Sequence, residues 1–270
     1  MLIMGGILCL YMAGLVWNDV CDRRRDAQNR LLRPIPMGRI SPGVATLIAW
    51  ILAGTSLVLF WQSSITALAY GACLLCCVIA YDFYLKRVPI LGVISMGLCR
   101  GISLLLGATA TTTRQPFTAS VWIAFLMVTG YVAAVTQMAK RERYPHNPSL
   151  EVWGPWTAIT LGLLLFAHTV EVWSGWLVLL MLIVFGLPLA AAIHLHDFRT
   201  TRNLPKTLDC KQRIPQVLPP WIGYLIAHLL WISMFFVLST GVSVDTLIVC
   251  GILFGCWLMN RLLGRFFYAS

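Results

Sequence analysis

Leu2-Ile-Met-Gly-Gly-Ile-Leu-Cys-Leu-Tyr-Met-Ala-Gly-Leu-Val-Trp17 runs without a break into Asn18-Asp19-Val20-Cys21-Asp22-Arg23-Arg24-Arg25-Asp26, and this junction decides how the chain is read. The first part is apolar, lacks a basic leading region and is followed by no small-residue cleavage site, so it is not a signal peptide. It falls slightly short of the ~20 residues that span a bilayer as a helix, which suggests a start inside a helix that once had a predecessor. In the second part Asn18, Asp22 and Asp26 step by four, so they stack on one face if the helix continues. Like charges at that spacing destabilise a helix. A divalent cation between the carboxylates reverses the sign. Mg²⁺ favours one or two carboxylates completed by waters and substrate phosphate oxygens, so the spacing suits a magnesium diphosphate. Next comes Arg30-Leu-Leu-Arg33-Pro34-Ile-Pro36-Met-Gly38-Arg39. Two prolines and a glycine preclude a regular helix and fix a folded loop that can hold Arg33 and Arg39 over an anion.

Outward from this junction the chain is apolar. Of 270 residues 59% are hydrophobic and 11% charged, with a mean hydropathy of +0.80, whereas a soluble domain carries about 25% charged residues. Nine hydrophobic segments are legible: 2–17, 43–61, 64–81, 90–110, 119–139, 152–170, 173–193, 218–238 and 242–259. Only helices and closed barrels satisfy their backbone in lipid, and these runs are too long for barrel strands. The reading is an all-α fold, a polytopic transmembrane bundle of about nine helices, with residues 1–270 as one domain of an integral, multi-pass membrane protein.

Threading nine spans alternately gathers the long polar loops 18–42, 82–89, 140–151 and 194–217 with the C-terminus on one face. With Arg100 counted there, that face carries 19 of the 20 basic residues and leaves only Arg114 opposite, which makes it the cytoplasmic or equivalent face. The net charge of +10 is thereby read as loop anchoring and not as a nucleic-acid surface. Sixteen of the 20 cations are Arg, whose fork suits phosphate oxygens. Eight of the ten acids share the face: Asp19, Asp22, Asp26, Asp82, Glu142, Glu151, Asp197 and Asp209. The positive-inside rule does not require that, so the chemistry is sought there.

The nine cysteines lie mostly in apolar runs, where free Cys packs as a small hydrophobe; no metal spacing or disulfide framework is implied. Arg100 lies inside an apolar stretch, where a charge is expensive and usually functional. His196 and Asp197 form a further polar pair in the 194–217 loop, read either as solvated loop residues or as an acceptor-side base or ligand pair. His168 and His228 read as packed helix residues.

Asn18-Asp19-x-x-Asp22-x-x-x-Asp26 followed by Arg33-Pro34-x-Pro36-x-Gly38-Arg39 resembles the first signature of the UbiA superfamily, nine positions across 22 residues after a membrane helix. Tyr81-x-x-x-x-Lys86 with Gly97-x-x-Arg100-Gly101 resembles that family's tyrosine–lysine loop and the helix after it. The resemblance implies a helical membrane prenyltransferase that moves an isoprenoid chain from a prenyl diphosphate to an aromatic or other lipophilic acceptor, in a bacterial inner membrane or an organellar membrane, among membrane lipid. It implies Mg²⁺ as cofactor, held by Asn18, Asp19, Asp22 and Asp26. Asp22, Asp26, Lys86 and Arg100 would carry the reaction, with Asn18, Arg33, Arg39, Tyr81, Glu142 and Asp197 binding substrate. Two departures stand out. The family's helix before the motif helix is missing. Its second aspartate-rich motif should fall in the 140–151 loop, which reads Lys140-Arg141-Glu142-Arg143-Tyr144; a subgroup related to EboC looks similar there. The alternative is a non-catalytic relative that binds or transports a lipid diphosphate.

Overall fold

The computed structural model describes residues 1–29, 33–110, 117–141, 154–169, 223, 225–234, 236–237 and 244–267. Among these the secondary structure is helical and no strand occurs. In chain order the helices are α1 (Leu2–Asn29), α2 (Pro42–Ser63), α3 (Ile65–Phe83), a 3₁₀ turn (Leu85–Arg87), α4 (Pro89–Ala108), α5 (Ala119–Arg141), α6 (Gly154–Thr169), α7 (Leu225–Met234) and α8 (Val244–Phe267). Helices α1 to α5 are each long and apolar enough to cross a membrane, and shorter apolar helices lie in α6, α7 and α8. The protein is a polytopic helical membrane protein. The segment expected at 173–193, and the polar loops 142–151 and 194–217, lie outside the described residues.

The largest departure from the sequence reading is α1. It does not end at Trp17 but continues through the charged cluster to Asn29, 28 residues in all, so the acids lie on a helix and not in a loop. Proline then works as expected. Residues 33–40 form a compact turn with backbone bonds Met37 N→Arg33 O, Gly38 N→Ile35 O and Arg39 N→Pro34 O, each 3.0 Å. Gly38 sits at φ +73°, in the left-handed region that favours glycine. Ser41 caps α2 by accepting from Val44 N, and Pro42 opens the helix.

Contacts group the chain into two compact units, residues 1–136 with 157–175, and 137–156 with 176–270. In the first, α1 packs chiefly on α2, and α3 on α4. The buried face of α2 is Ala45, Ala49, Ala53 and Ser56, closed by Phe60; its four small residues let helix backbones approach closely where lipid supplies no hydrophobic drive. Trp17 of α1 is fully buried and meets Trp50 edge to face, with ring centres 5.0 Å apart. Phe60 fills the space left by Gly6 of α1 and Gly71 of α3. The outer faces of α2 and α4 keep Leu47, Trp50, Ile51, Trp61, Ile90 and Leu91 exposed, as lipid-facing positions require. In the second unit Trp231 of α7 meets Phe254 and Trp257 of α8 edge to face, at 6.1 and 5.6 Å.

Candidate active site

The last three turns or so of α1 carry the four metal-type side chains, Asn18 to Asp26. At about 100° per residue, Asn18, Asp22, Asp26 and Asp19 fall in that order across an arc of about 100°, so one helix face presents them all. Two cations divide the arc. Lys86, brought over by the 3₁₀ turn after α3, donates from Nζ to Asn18 Oδ1 at 3.1 Å and lies 3.0 Å from Asp22 Oδ1. Arg33, from the proline turn, bonds Asp19 through Nη1, which also lies 3.6 Å from Asp26 Oδ2. Asp26 is 7% exposed and Lys86 12%, so these contacts are largely withdrawn from solvent. Arg25 makes a looser pair with Asp22 at 3.8 Å.

Each pair sits at a cavity. Asp19, Asp26 and Arg33 line a small one of about 120 Å³ with Val16, Ile35, Pro36 and Ile48. Asn18 lies at the polar end of a larger one of about 350 Å³ between α1, α3 and α4. From α1 it takes Met4, Ile7, Leu8, Tyr11, Leu15 and Asn18, which is one helical stripe; α3 adds Leu74, Val78, Tyr81 and Asp82, and α4 adds Met96, Cys99, Arg100 and Ser103. An apolar trough thus leads along α1 to the turn where Asn18 and Asp22 hold Lys86.

The expected site residues are placed as follows. Asn18, Asp19, Asp22, Asp26, Arg33 and Lys86 come together. Tyr81 lines the large cavity. Arg39 is exposed on the proline turn with no ion pair among the described residues. Arg100 lines the same cavity as Asn18 but deeper: its guanidinium lies over the Tyr11 ring, 4.9 Å from the centre, and Tyr11 precedes Asn18 by two helical turns, about 10 Å along the axis. Its first neighbour is therefore an aromatic face, a cation–π contact worth about 0.5–2 kcal/mol, and not the carboxylates. Glu142 and Asp197 lie outside the described residues, as does His196. Sequence reading passed over two residues that the cavity uses. Tyr11 looked like one more apolar helix residue. Asp82 looked like the first residue of a polar loop, yet it closes α3 at 3% exposure.

A sequence profile of the UbiA prenyltransferase family matches residues 1–214. The chain belongs to this family. Among curated UbiA-family proteins it is similar to the protoheme IX farnesyltransferase 2 of Pseudoalteromonas atlantica, 37% identical over 111 residues that cover 40% of this chain and 36% of that protein. It is similar to the digeranylgeranylglyceryl phosphate synthase of Methanothrix thermoacetophila, 34% identical over 113 residues, 41% of this chain and 42% of the relative. It also resembles the 4-hydroxybenzoate octaprenyltransferase of Aeromonas salmonicida, 31% identical over 125 residues, 45% and 42% of the two chains. Each match thus spans less than half of the relative. No solved structure matches the chain.

The donor set fits a UbiA-type cation site on its own terms. An ammonium held by an amide oxygen and a carboxylate oxygen stands where a hard cation with oxygen ligands would stand. Mg²⁺ there would be held by Asn18 and Asp22 on one side of the arc and by Asp19 and Asp26 on the other. Among the described residues no group of three His, Cys, Asp or Glu is placed to hold a metal ion.

Proposed function

We propose that this chain is a Mg²⁺-dependent intramembrane prenyltransferase that moves an isoprenoid chain from a prenyl diphosphate to a lipophilic acceptor. The observation that carries the reading is the Lys86 ammonium, bridging Asn18 and Asp22 beside a 350 Å³ apolar cavity that runs down α1. A diphosphate needs fixed cations at the membrane face, and its chain needs an apolar trough directly below; the two adjoin here. Membership of the UbiA family supports the same reaction class. The relatives' names differ in acceptor and in chain length, so both stay open for this chain. The excess of basic loops on the α1–α2 side supports a cytoplasmic or equivalent face for the site.

The chain's own residues would act as follows. Asn18 with Asp22, at the Lys86 end of the arc, and Asp19 with Asp26, at the Arg33 end, would supply the oxygens for Mg²⁺, which when bound neutralises the diphosphate. Lys86, Arg33 and Arg39 donate to its oxygens as the allylic C–O bond breaks and the diphosphate leaves with the electron pair, the setting in which preorganised donors do most for a developing charge. The allylic carbon gains cation character in the cavity that Tyr81 lines, where an aromatic ring stabilises it. Met4, Ile7, Leu8, Leu15 and Leu74 hold the chain and exclude water, so the carbon bonds to the acceptor, which gives up the proton it replaces to the departing diphosphate. Glu142 and Asp197 belong to this proposal as further binding residues.

Purified protein in lipid, given labelled prenyl diphosphates, Mg²⁺ and a panel of aromatic and other lipophilic acceptors, should release diphosphate and form a prenylated product. Binding of the prenyl diphosphate without release, across the panel, would replace transfer with the lipid-diphosphate carrier reading.

A further inference from the structure

Asp82 is the unused group in this site. It is the penultimate residue of α3, 3% exposed, and it lines the large cavity with Asn18, Tyr81 and Arg100. Among the described residues no hydrogen bond or ion pair reaches its carboxyl, and a buried carboxylate without a partner is costly. Lys86 and Asp22 are the charges that act on it, and the same two side chains meet at 3.0 Å. The lysine ammonium thus touches Asn18 and Asp22 of α1, and Asp82 of α3, beyond ion-pair distance of it, shares a cavity wall with Asn18.

We propose that Asp82 is the third protein ligand of a divalent cation held between α1 and α3, joined by Asn18 and Asp22, and that the Lys86 ammonium marks its place. This rests on the diphosphate reading of the site and extends its ligand set to a second helix. The chemistry is that of a hard cation. Mg²⁺ takes one or two carboxylates and fills its octahedron with waters and phosphate oxygens. Two carboxylates and one amide oxygen leave half of the octahedron for diphosphate and water. A cation held there would take the Asn18 and Asp22 oxygens that Lys86 now holds, and the flexible lysine stem would leave its ammonium free to donate to the diphosphate.

The test is Mn²⁺ binding in the presence of inorganic diphosphate, read from the free Mn²⁺ paramagnetic signal with the full chain in lipid. Parent protein should bind, and Asp82→Asn should bind about tenfold more weakly or worse, the least that disturbing a metal's immediate surroundings does. Asp82→Asn binding as the parent does overturns the proposal while leaving the diphosphate reading intact. A parent that binds no Mn²⁺ with diphosphate overturns that reading and this one together. Should Asp82→Asn fail to fold, Asp82→Glu answers instead: a changed Mn²⁺ affinity supports a ligand, and an unchanged one overturns it. Without diphosphate, Lys86→Met should bind Mn²⁺ several-fold more tightly than the parent; weaker binding contradicts the view that the ammonium marks the cation's place.

Discussion

Arg33 and Lys86 each settle two oxygens of α1, and their separate roles were only half legible in the sequence. The four-residue step of Asn18, Asp22 and Asp26 identified the helix face, but pairing follows from where the neighbouring loops deliver their cations. Arg33 takes Asp19 and Asp26, seven residues apart, and Lys86 takes Asn18 and Asp22. Asp82 escaped notice because one acid at a helix end next to Lys86 and Arg87 reads as loop charge, and only burial distinguishes it. Removing Arg33 leaves Asp19 and the largely buried Asp26 without their counter-charge. The Arg33 side chain is 34% exposed, so solvent screens part of the effect, and Arg33→Ala should lower stability by about 1 kcal/mol. Thermal unfolding in detergent should show that loss without Mg²⁺ and a smaller one with it. Equal losses with and without Mg²⁺ would mean that Asp19 and Asp26 hold no cation.

At the scale of the elements, hydropathy placed α2 to α5 to within a few residues, because apolar length is a strong signal. For α1 it marked only the apolar part, to Trp17, and left the continuation through Asp26 as a condition; the helix does pass through the run of charge, with bridging from Lys86 and Arg33 across its last turns. How closely the helices approach one another was not legible at all. Gly97 and Gly101 of α4 face α5, where a Cβ on Gly97 would strike the Thr129 carbonyl of the backbone, a neighbour that cannot rotate away. Gly97→Val should therefore destabilise by about 1–3 kcal/mol and displace α4, which carries Arg100 into the cavity. Gly54 of α2 has open space around it, and Gly54→Ala should be neutral or stabilise by up to about 1 kcal/mol through helix propensity. Unfolding midpoints of the two variants check the contrast; a tolerated Gly97→Val would mean that α4 and α5 are not in close contact.

For the whole molecule, the 19-to-1 division of basic residues is a prediction of which side of the bilayer each loop takes, and α2 gives that prediction a measurable form. It runs from Pro42 to Ser63, 22 residues or about 33 Å, so Arg39 and Ser64 belong on opposite sides of a bilayer. Cysteines placed singly at the two positions, in a background cleared of reactive native cysteines, should label from opposite sides in sealed vesicles, with Arg39 on the cytoplasmic-equivalent face; labelling from one side would undo the topology. What the sequence could not supply at this scale was the adjacency of trough and charge, because it arises from α1, α3 and α4 meeting far apart in the chain. The central claim is that this adjacency is a magnesium–prenyl diphosphate site. It is tested most directly by calorimetric titration of a prenyl diphosphate analogue that cannot ionise into the protein in lipid, across a Mg²⁺ series. The account predicts binding that requires Mg²⁺, is abolished by Asp22→Ala or Asp26→Ala, and is weakened less by Glu142→Ala. Binding that is indifferent to Mg²⁺, or unchanged in the Asp22 and Asp26 variants, would contradict it.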